Sequence, residues 1–224
     1  MKNITVLYGN YGSGKTELAL NIALKLKQTY DDVALVDFDI VNPYFRSSEH
    51  KAMLEEKGIR VIAPAFANTG VDMPAIPPDV YAAFKCGHTV FDCGGDPVGA
   101  TALGALKEHF DRVRENTEAL FVVNTKRPFQ ENAERILESL KRIEHSARLK
   151  ADGIILNANL GYETTGEELL EGYQIIKELE RKAGVPLKAV SGTKESLDRF
   201  LKQCPDYDGG TITIDILIRP EWLK

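Results

Sequence analysis

Several features that define other classes of protein are scarce in this sequence of 224 residues. It has only three cysteines, at scattered positions, and no basic and apolar leader, which favours a reduced, cytoplasmic compartment over a disulfide-stabilised secreted domain. Its formal net charge is −5 and no local basic patch offsets it, so we expect neither a nucleic acid nor a membrane surface as partner. No apolar run approaches the roughly 20 residues that span a bilayer.

What is present indicates a globular α/β protein. Hydrophobic residues make up 43% of the chain, enough for a sizeable core. There is no internal repeat and no Ser/Gly linker, so residues 1–224 are predicted to form a single domain. Short apolar runs alternate with segments of helical periodicity from one end of the chain to the other. This alternation predicts a parallel sheet.

The predicted elements follow from that alternation. Strands are predicted at 4–8, 33–37, 60–63, 89–92, 119–124, 153–157 and 187–191. Helices are predicted at 17–27, 46–57, 131–149, 166–182 and 194–203, with another of about 15 residues ending near Glu115. The segment 209–220 alternates isoleucine with polar residues, which is typical of a half-exposed edge strand.

These elements predict a three-layer, doubly wound and mostly parallel sheet, the fold of P-loop NTPases, with an edge strand at the C-terminus. Ligands of such sheets bind at the carboxyl ends of the strands. Residues 63–80 are rich in proline and contain a glycine, which predicts a long irregular loop without helix or strand. Long loops in compact domains are often functional.

A phosphate-binding loop is predicted between the first strand and the first helix. Gly9, Gly14, Lys15 and Thr16 satisfy the pattern G-x-x-x-x-G-K-[ST]. The loop amides would surround the β-phosphate, Lys15 would reach the β- and γ-phosphates, and the Thr16 hydroxyl would coordinate Mg²⁺. The predicted nucleotide contacts in this segment are Gly9, Asn10, Tyr11, Gly12, Ser13, Gly14, Lys15, Thr16 and Glu17.

Two acidic stretches follow predicted strands at the same edge of the sheet. Asp92 ends one strand and would hold Mg²⁺ through water, while Gly95 would let an amide approach the γ-phosphate. Asp39 follows another strand, at the rim where the nucleotide and its metal would lie, and is predicted to be functional there. For Asp37 and Asp96 a functional role and a plain turn or strand-end role are left open.

Four stretches together resemble the MinD/ParA/nitrogenase iron-protein (SIMIBI) class of P-loop ATPases over most of the chain. They are "GNYGSGKT", "VDFDIVNP", "FDCGGDPVG" and "VVNTKRPFQENAERI". The resemblance implies that Asp39 positions the attacking water and that Asp92 holds Mg²⁺ through water. It also implies that Asn157, or else Asn159, reads an adenine base, and hence that the nucleotide is ATP rather than GTP.

The sequence departs from that class at one position. Many members carry a lysine where this chain has Asn10, and that lysine reaches the γ-phosphate of a partner subunit. Lys126, Arg127 and Arg46 are the candidate replacements for its charge, against the simpler interpretation that they are ordinary surface residues. The resemblance implies a homodimer, which Asn10 makes less expected.

Three functions are compatible with these patterns. The first is a Mg²⁺-ATP-dependent ATPase whose loops change shape with the γ-phosphate and so control a partner protein. The second is an ATP-dependent ligase or transferase acting on a small acid, similar to dethiobiotin or cobyrinate amide synthetases. The third is a nucleotide-binding subunit without turnover.

Overall fold

The computed structural model describes residues 2–39, 50–63, 76, 78–95, 97–158 and 164–218. The strands are β1 (Ile4–Tyr8), β2 (Val33–Phe38), β3 (Arg60–Ile62), β4 (His88–Cys93), β5 (Thr117–Val123), β6 (Gly153–Leu156), β7 (Leu187–Gly192) and β8 (Gly210–Thr213). The helices are α1 (Lys15–Lys27), α2 (Lys51–Glu56), α3 (Pro78–Ala83), α4 (Pro97–Ala105), α5 (Lys107–Arg112), α6 (Ala133–Ala147), α7 (Gly166–Ala183) and α8 (Lys194–Gln203).

The strands form one eight-stranded sheet in the order β3-β2-β4-β1-β5-β6-β7-β8. Every pairing among the described strands is parallel. β1 lies between β4 and β5, so the segment that follows it emerges near the middle of the sheet. The predicted α/β class is confirmed, including β8 at one edge.

Two hydrophobic cores cover the two faces of the sheet. Ile4, Val6 and Tyr8 of β1 pack on one face with residues of α3 to α8, and Leu7 packs on the other face with α1 and α2. This alternation follows from the two-residue period of a strand. The result is the predicted three-layer arrangement.

Side-chain caps fix the ends of several helices. Thr165 begins α7 with a capping box, in which its side chain and that of Glu168 bond to each other's backbone amides. Asn132 accepts the Arg135 amide at the start of α6, and Thr193 accepts the Ser196 amide at the start of α8. These caps place the helix starts within two residues of the predicted positions.

Three details differ from the sequence prediction. The helix expected before Glu115 is two helices, α4 and α5, separated by Leu106, with a 3₁₀ turn at Arg114–Asn116. α3 begins at Pro78, inside the stretch predicted to be irregular, because proline is favoured in the first turn of a helix. β8 ends at Thr213 and is shorter than the predicted edge strand.

In the described part of the chain, no helix is both long enough and apolar enough to cross a membrane.

Candidate functional site

The glycine-rich segment and the two acidic stretches meet at the carboxyl edge of the sheet. β4 lies between β1 and β2, with Asp92 opposite Leu7 on one side and opposite Asp37 on the other. The segment 9–14 leaves β1 at this point and leads directly into α1. The parallel sheet therefore brings together residues that are more than 50 positions apart in the sequence.

The glycine-rich segment needs glycine where the chain folds most tightly. Gly14 has φ of 85°, a left-handed conformation, and a Cβ there would lie 2.2 Å from the Asn157 side chain. A Cβ on Gly9 would lie 2.3 Å from the Val122 carbonyl oxygen. Because α1 starts at Lys15, its first-turn amides and its partial positive charge face this segment.

The Lys15 side chain folds back over the glycine-rich segment and bonds to its backbone. The lysine is buried, and its Nζ donates a hydrogen bond of 3.0 Å to the Asn10 carbonyl oxygen. The Ser13 amide donates to the same carbonyl at 3.2 Å. The phosphate-binding conformation is thus held by contacts within residues 10–15.

Asp92 is a buried carboxylate that the described residues leave poorly compensated. Its residue is 1% exposed, and neither side-chain oxygen has a partner within normal hydrogen-bond geometry among the described residues. Burial, together with the charge of Asp37, raises the pKa of Asp92 to about 7, although Lys15 and Thr16 partly oppose the shift. A bound cation would stabilise the ionised form of this buried carboxylate, since carboxylate oxygens are preferred ligands of Mg²⁺.

The segment that follows β4 lies against the glycine-rich loop. A Cβ on Gly95 would lie 2.5 Å from the Tyr11 amide nitrogen and 2.7 Å from Lys15 Nζ. A Cβ on Gly94 would lie 3.0 Å from a carboxylate oxygen of Asp39. The Asp39 amide, in turn, donates to the Asp37 carboxylate at 3.3 Å. Gly94 and Gly95 therefore lie close to Asp39 and to the glycine-rich loop, and the roles predicted for Gly95 and Asp39 stay predictions.

The Asn157 side chain, at the end of β6, binds the backbone of the glycine-rich loop. Its Nδ2 donates to the Ser13 carbonyl at 2.8 Å, and its Oδ1 accepts from the Ser191 hydroxyl at 2.9 Å. The Asn157 side chain is 1% exposed. Asn157 thus fixes the position of the loop, and its predicted contact with an adenine base stays a prediction.

Glu17, in the first turn of α1, contacts the C-terminal segment. Its carboxylate accepts the amides of Leu217 and Ile218 at 2.7 and 3.1 Å. Burial raises the pKa of Glu17, while these two hydrogen bonds lower it. The carboxylate is therefore occupied within the protein, and only the backbone of Glu17 is available for its predicted nucleotide contact.

A cleft lies beside the loop, at the ends of β6 and β7. It is lined by Asn157, Ala158, Thr164, Gly192, Thr193, Ile214 and Ile216. Adjacent strands are about 4.8 Å apart, so the cleft lies two to three strand spacings from β1. In this conformation the cleft is narrow and has no room for a base.

The residues at the acidic side of the loop fit Mg²⁺. The Thr16 hydroxyl and the Asp92 carboxylate are the oxygen donors that this ion prefers, and it commonly keeps several waters. Among the described residues no group of three His, Cys, Asp or Glu side chains could hold a metal ion. The donor set therefore suits a cation shared with a phosphate ligand better than a metal held by protein alone.

Comparison with known proteins agrees with this geometry. The sequence profile of the CobQ/CobB/MinD/ParA nucleotide-binding domain matches residues 4–193. The chain belongs to this family. It is therefore a nucleotide-binding domain of the CobQ/CobB/MinD/ParA family, which confirms the resemblance seen in the sequence motifs. A search of curated proteins found no match.

Solved structures of the same fold include bacterial FtsY proteins. The cell division protein FtsY from Thermotoga maritima has a TM-score of 0.58 at 19% identity, covering 88% of this chain and 64% of that one. FtsY from Mycoplasma mycoides has a TM-score of 0.58 at 17% identity, with coverages of 90% and 65%. The signal recognition particle receptor FtsY from Elizabethkingia anophelis, in complex with GDP, has a TM-score of 0.56 at 14% identity, with coverages of 88% and 60%.

This CobQ/CobB/MinD/ParA domain spans less than two thirds of the length of those FtsY chains. At such identities the likeness shows the fold alone. The predicted fold is confirmed by it.

Several predicted residues lie outside the described part of the CobQ/CobB/MinD/ParA domain. They are Asp96, Asn159, Arg46 and most of the loop 63–80. Sequence reasoning missed Ser191, which orients Asn157, and Ser139, whose hydroxyl donates to the Asn10 side chain. Nothing in the sequence signals either contact, because each joins elements that are distant along the chain.

Proposed function

We propose that this chain is a Mg²⁺-ATP-dependent ATPase that acts as a nucleotide-controlled switch on a partner protein. The observation that carries the proposal is the Asp92 carboxylate, which is buried beside the glycine-rich loop and whose oxygens form no well-made hydrogen bond with the described residues. Keeping such a group ionised is costly unless a ligand compensates it. A nucleotide bound with Mg²⁺ supplies that compensation.

The residues would share the work as follows. The loop amides and Lys15 bind the phosphates, and the Thr16 hydroxyl and Asp92 hold Mg²⁺, Asp92 acting through water. Bound Mg²⁺ neutralises the charge on the phosphate oxygens. Asp39 lies on the same side of the loop as Gly94 and Gly95, where its carboxylate would orient the attacking water and accept its proton.

The chemistry of the described residues at the ends of β6 and β7 is the basis on which we propose adenine rather than guanine. Guanine carries an exocyclic N2 amino donor that adenine lacks, and a carboxylate acceptor is a natural partner for it. None of the described lining residues is acidic; they are Asn157, Ala158, Thr164, Gly192, Thr193, Ile214 and Ile216. The GDP bound to the Elizabethkingia anophelis FtsY makes GTP the competitor that has to be tested.

A partner protein is supported by exposed apolar side chains at the rim of the loop. Tyr11, within the loop, is 65% exposed, and Phe129 is 69% exposed. Phe129 is two residues from Arg127, whose Nε donates to the Gly12 carbonyl. Large exposed apolar side chains near a ligand site are typical of interaction surfaces. The partner is a second copy of this chain or another protein, and we place it in the cytoplasm.

The test is equilibrium binding of ATP and GTP by calorimetry, with Mg²⁺ and with EDTA. Wild type is expected to bind ATP at least tenfold more tightly than GTP and more tightly with Mg²⁺ than in EDTA, and Lys15→Ala is expected to lose most of this binding. Lys25→Ala, an exposed lysine on the same helix, is the matched control. Preference for GTP would overturn the choice of base, and absence of binding to either nucleotide would overturn the function.

A further inference from the structure

The position where many relatives have a lysine is neutral here and turned away from the site. The Asn10 side chain accepts a hydrogen bond from the Ser139 hydroxyl on α6. Ser139 is buried, so this contact anchors the Asn10 side chain against α6. Among the residues of the loop itself, 9–16, Lys15 is then the only cation available to a polyphosphate.

A second cation reaches the loop from the segment between β5 and α6. Arg127 Nε donates a hydrogen bond of 3.2 Å to the Gly12 carbonyl oxygen. The guanidinium carbon lies 3.6 Å from the position that a Cβ on Gly12 would occupy. Gly12 is three residues before Lys15, within the glycine-rich loop. The guanidinium group is thus at the edge of the phosphate site.

The backbone around Arg127 is fixed by hydrogen bonds. The Arg127 amide donates to the Asn124 carbonyl at 3.1 Å, and its own carbonyl accepts the Gln130 amide at 3.2 Å. Gln130 Oε1 accepts the Asn124 amide at 3.1 Å, and Asn124 Oδ1 accepts the Lys126 amide at 3.0 Å. Asn124 and Gln130 are each 1% exposed. The backbone of Arg127 is therefore fixed before any ligand binds, and the Nε contact with Gly12 restricts its exposed side chain, which lowers the entropic cost of a phosphate contact.

Within the described part of the chain, no ion pair neutralises the charge of Arg127. No acidic side chain in the described ranges forms an ion pair with it, whereas the neighbouring Lys126 pairs with Glu171 at 2.6 Å. The two adjacent cations therefore have different contacts. Lys126 pairs with Glu171 of α7, whereas Arg127 contacts the glycine-rich loop through its Nε. A guanidinium group binds phosphate oxygens through paired hydrogen bonds.

We propose that Arg127 binds the polyphosphate of the nucleotide held by its own chain and supplies the charge that Asn10 lacks. This inference rests on the proposed function. The terminal guanidinium nitrogens donate to phosphate oxygens, while Nε keeps its bond to the Gly12 carbonyl. The site is then completed within one subunit, without a charged residue from a partner.

The test compares Arg127→Gln, Arg127→Lys and the matched control Lys126→Gln, which removes a charge one residue away. Affinities for ATP and ADP are measured by calorimetry with Mg²⁺ at low and high salt. Arg127→Gln should weaken ATP binding by about 10- to 30-fold, as expected for the loss of charge-assisted hydrogen bonds. Arg127→Lys should recover only part of the affinity, because the ammonium group keeps the charge but not the paired hydrogen bonds. Lys126→Gln should stay within about twofold of wild type, because Lys126 is a half-buried residue already paired with Glu171.

The salt dependence of ATP affinity distinguishes a direct contact between Arg127 and phosphate from a purely structural role of Arg127. If Arg127 binds phosphate through its charge, the difference between wild type and Arg127→Gln narrows as salt rises. If Arg127 only anchors the Gly12 carbonyl, the difference is independent of salt, and that result would overturn the proposal. So would an Arg127→Gln variant that binds ATP as tightly as Lys126→Gln does. Wild type that binds no nucleotide is a different result, since it overturns the proposed function itself.

Discussion

At the scale of single residues, the buried Asp92 carboxylate lowers the stability of the ligand-free protein, and a bound cation would offset this cost. Its carboxylate is buried, and its pKa is raised to about 7 by burial first and by Asp37 second. The folded protein therefore binds more protons than the unfolded chain between the usual Asp pKa and pH 7. The free energy of unfolding contributed by this group falls as pH rises through that range and is lowest above pH 7.

Asp92→Asn removes the buried charge and should stabilise the protein free of nucleotide and metal. We expect the free energy of unfolding at pH 8 to rise by about 1–3 kcal/mol, and the fall in stability between pH 4 and 7 to become shallower. Urea unfolding in EDTA across this pH range measures both effects. Asp198→Asn, at an exposed position on α8, is the control. Equal stabilities for the two variants would show that Asp92 carries no such cost.

Gly95 shows how closely the segment after β4 approaches the phosphate loop. Gly95→Ala would place a Cβ 2.5 Å from the Tyr11 amide nitrogen, which is too close for any real contact. We expect ATP affinity to fall by about tenfold or more, because the loop backbone must move, while thermal stability changes little. Gly184→Ala is the control, and we expect it to lower stability without changing ATP affinity. Gly184 ends α7 at φ of 67° with no neighbour within 4 Å, so its replacement should cost about 1 kcal/mol of stability and leave binding unchanged. Normal ATP binding by Gly95→Ala would contradict the close approach.

Asn157 is a third residue with a measurable role. Asn157→Asp replaces the Nδ2 donor with an oxygen that faces the Ser13 carbonyl, now 2.8 Å from Nδ2. We expect nucleotide affinity to fall by about tenfold or more, since an unpaired buried polar group costs about 1–3 kcal/mol. Ser191→Ala, which removes only the hydroxyl that orients Asn157, should have a smaller effect in the same binding assay. An Asn157→Asp variant with wild-type affinity would show that the loop does not depend on this bond.

At the scale of elements, α1 holds the C-terminal segment 214–218 as well as the phosphate loop. Glu17 accepts the amides of Leu217 and Ile218, and Asn21 exchanges two hydrogen bonds with the backbone of Asp215, at 2.9 and 2.7 Å. Ile214 and Leu217 pack with α1 on the same face of the sheet. The Ile214 amide still donates to the Gly192 carbonyl of β7 at 2.9 Å. Beyond Ile214, side chains of α1 accept the backbone amides of the segment.

Glu17→Ala should release this segment. Amide hydrogen exchange at Leu217 and Ile218 is expected to accelerate at least tenfold, and the free energy of unfolding to fall by about 1–3 kcal/mol, because two amides lose a buried acceptor. Exchange measured by mass spectrometry over residues 210–218 reports the change. Lys25→Ala, on the exposed side of α1, should leave it unaltered. Unchanged exchange in Glu17→Ala would show that packing alone holds the segment.

Element prediction succeeded where the pattern was local and failed where it was not. The βα alternation and the glycine-rich loop between β1 and α1 could be predicted because each depends on neighbouring residues. The start of α3 at Pro78 was missed because prolines in a loop and proline at a helix start look alike in sequence. The end of β8 at Thr213 was missed because Glu17 and Asn21, almost 200 residues away, bond to the segment that continues the isoleucine alternation.

At the scale of the whole molecule, the parallel sheet explains why the site residues could be identified but not their contacts. Parallel strands bring their carboxyl ends to one edge, so Asp39, Asp92 and the loop 9–16 were expected to lie together. The side chains that bind across the sheet, such as Asn157 with Ser13 and Arg127 with Gly12, depend on strand order β1-β5-β6, which the sequence does not specify.

The central claim is that ATP binding and hydrolysis in this domain control a partner or a second copy of the chain. The most direct measurement is phosphate release from Mg²⁺-ATP by wild type and Asp39→Ala, with molecular mass followed by light scattering in ATP and in ADP. We predict slow turnover that is lost in Asp39→Ala, together with an increase in mass in ATP that is absent in ADP. Tight ATP binding with no turnover and no change in mass would contradict the claim that the chain is a hydrolysing switch.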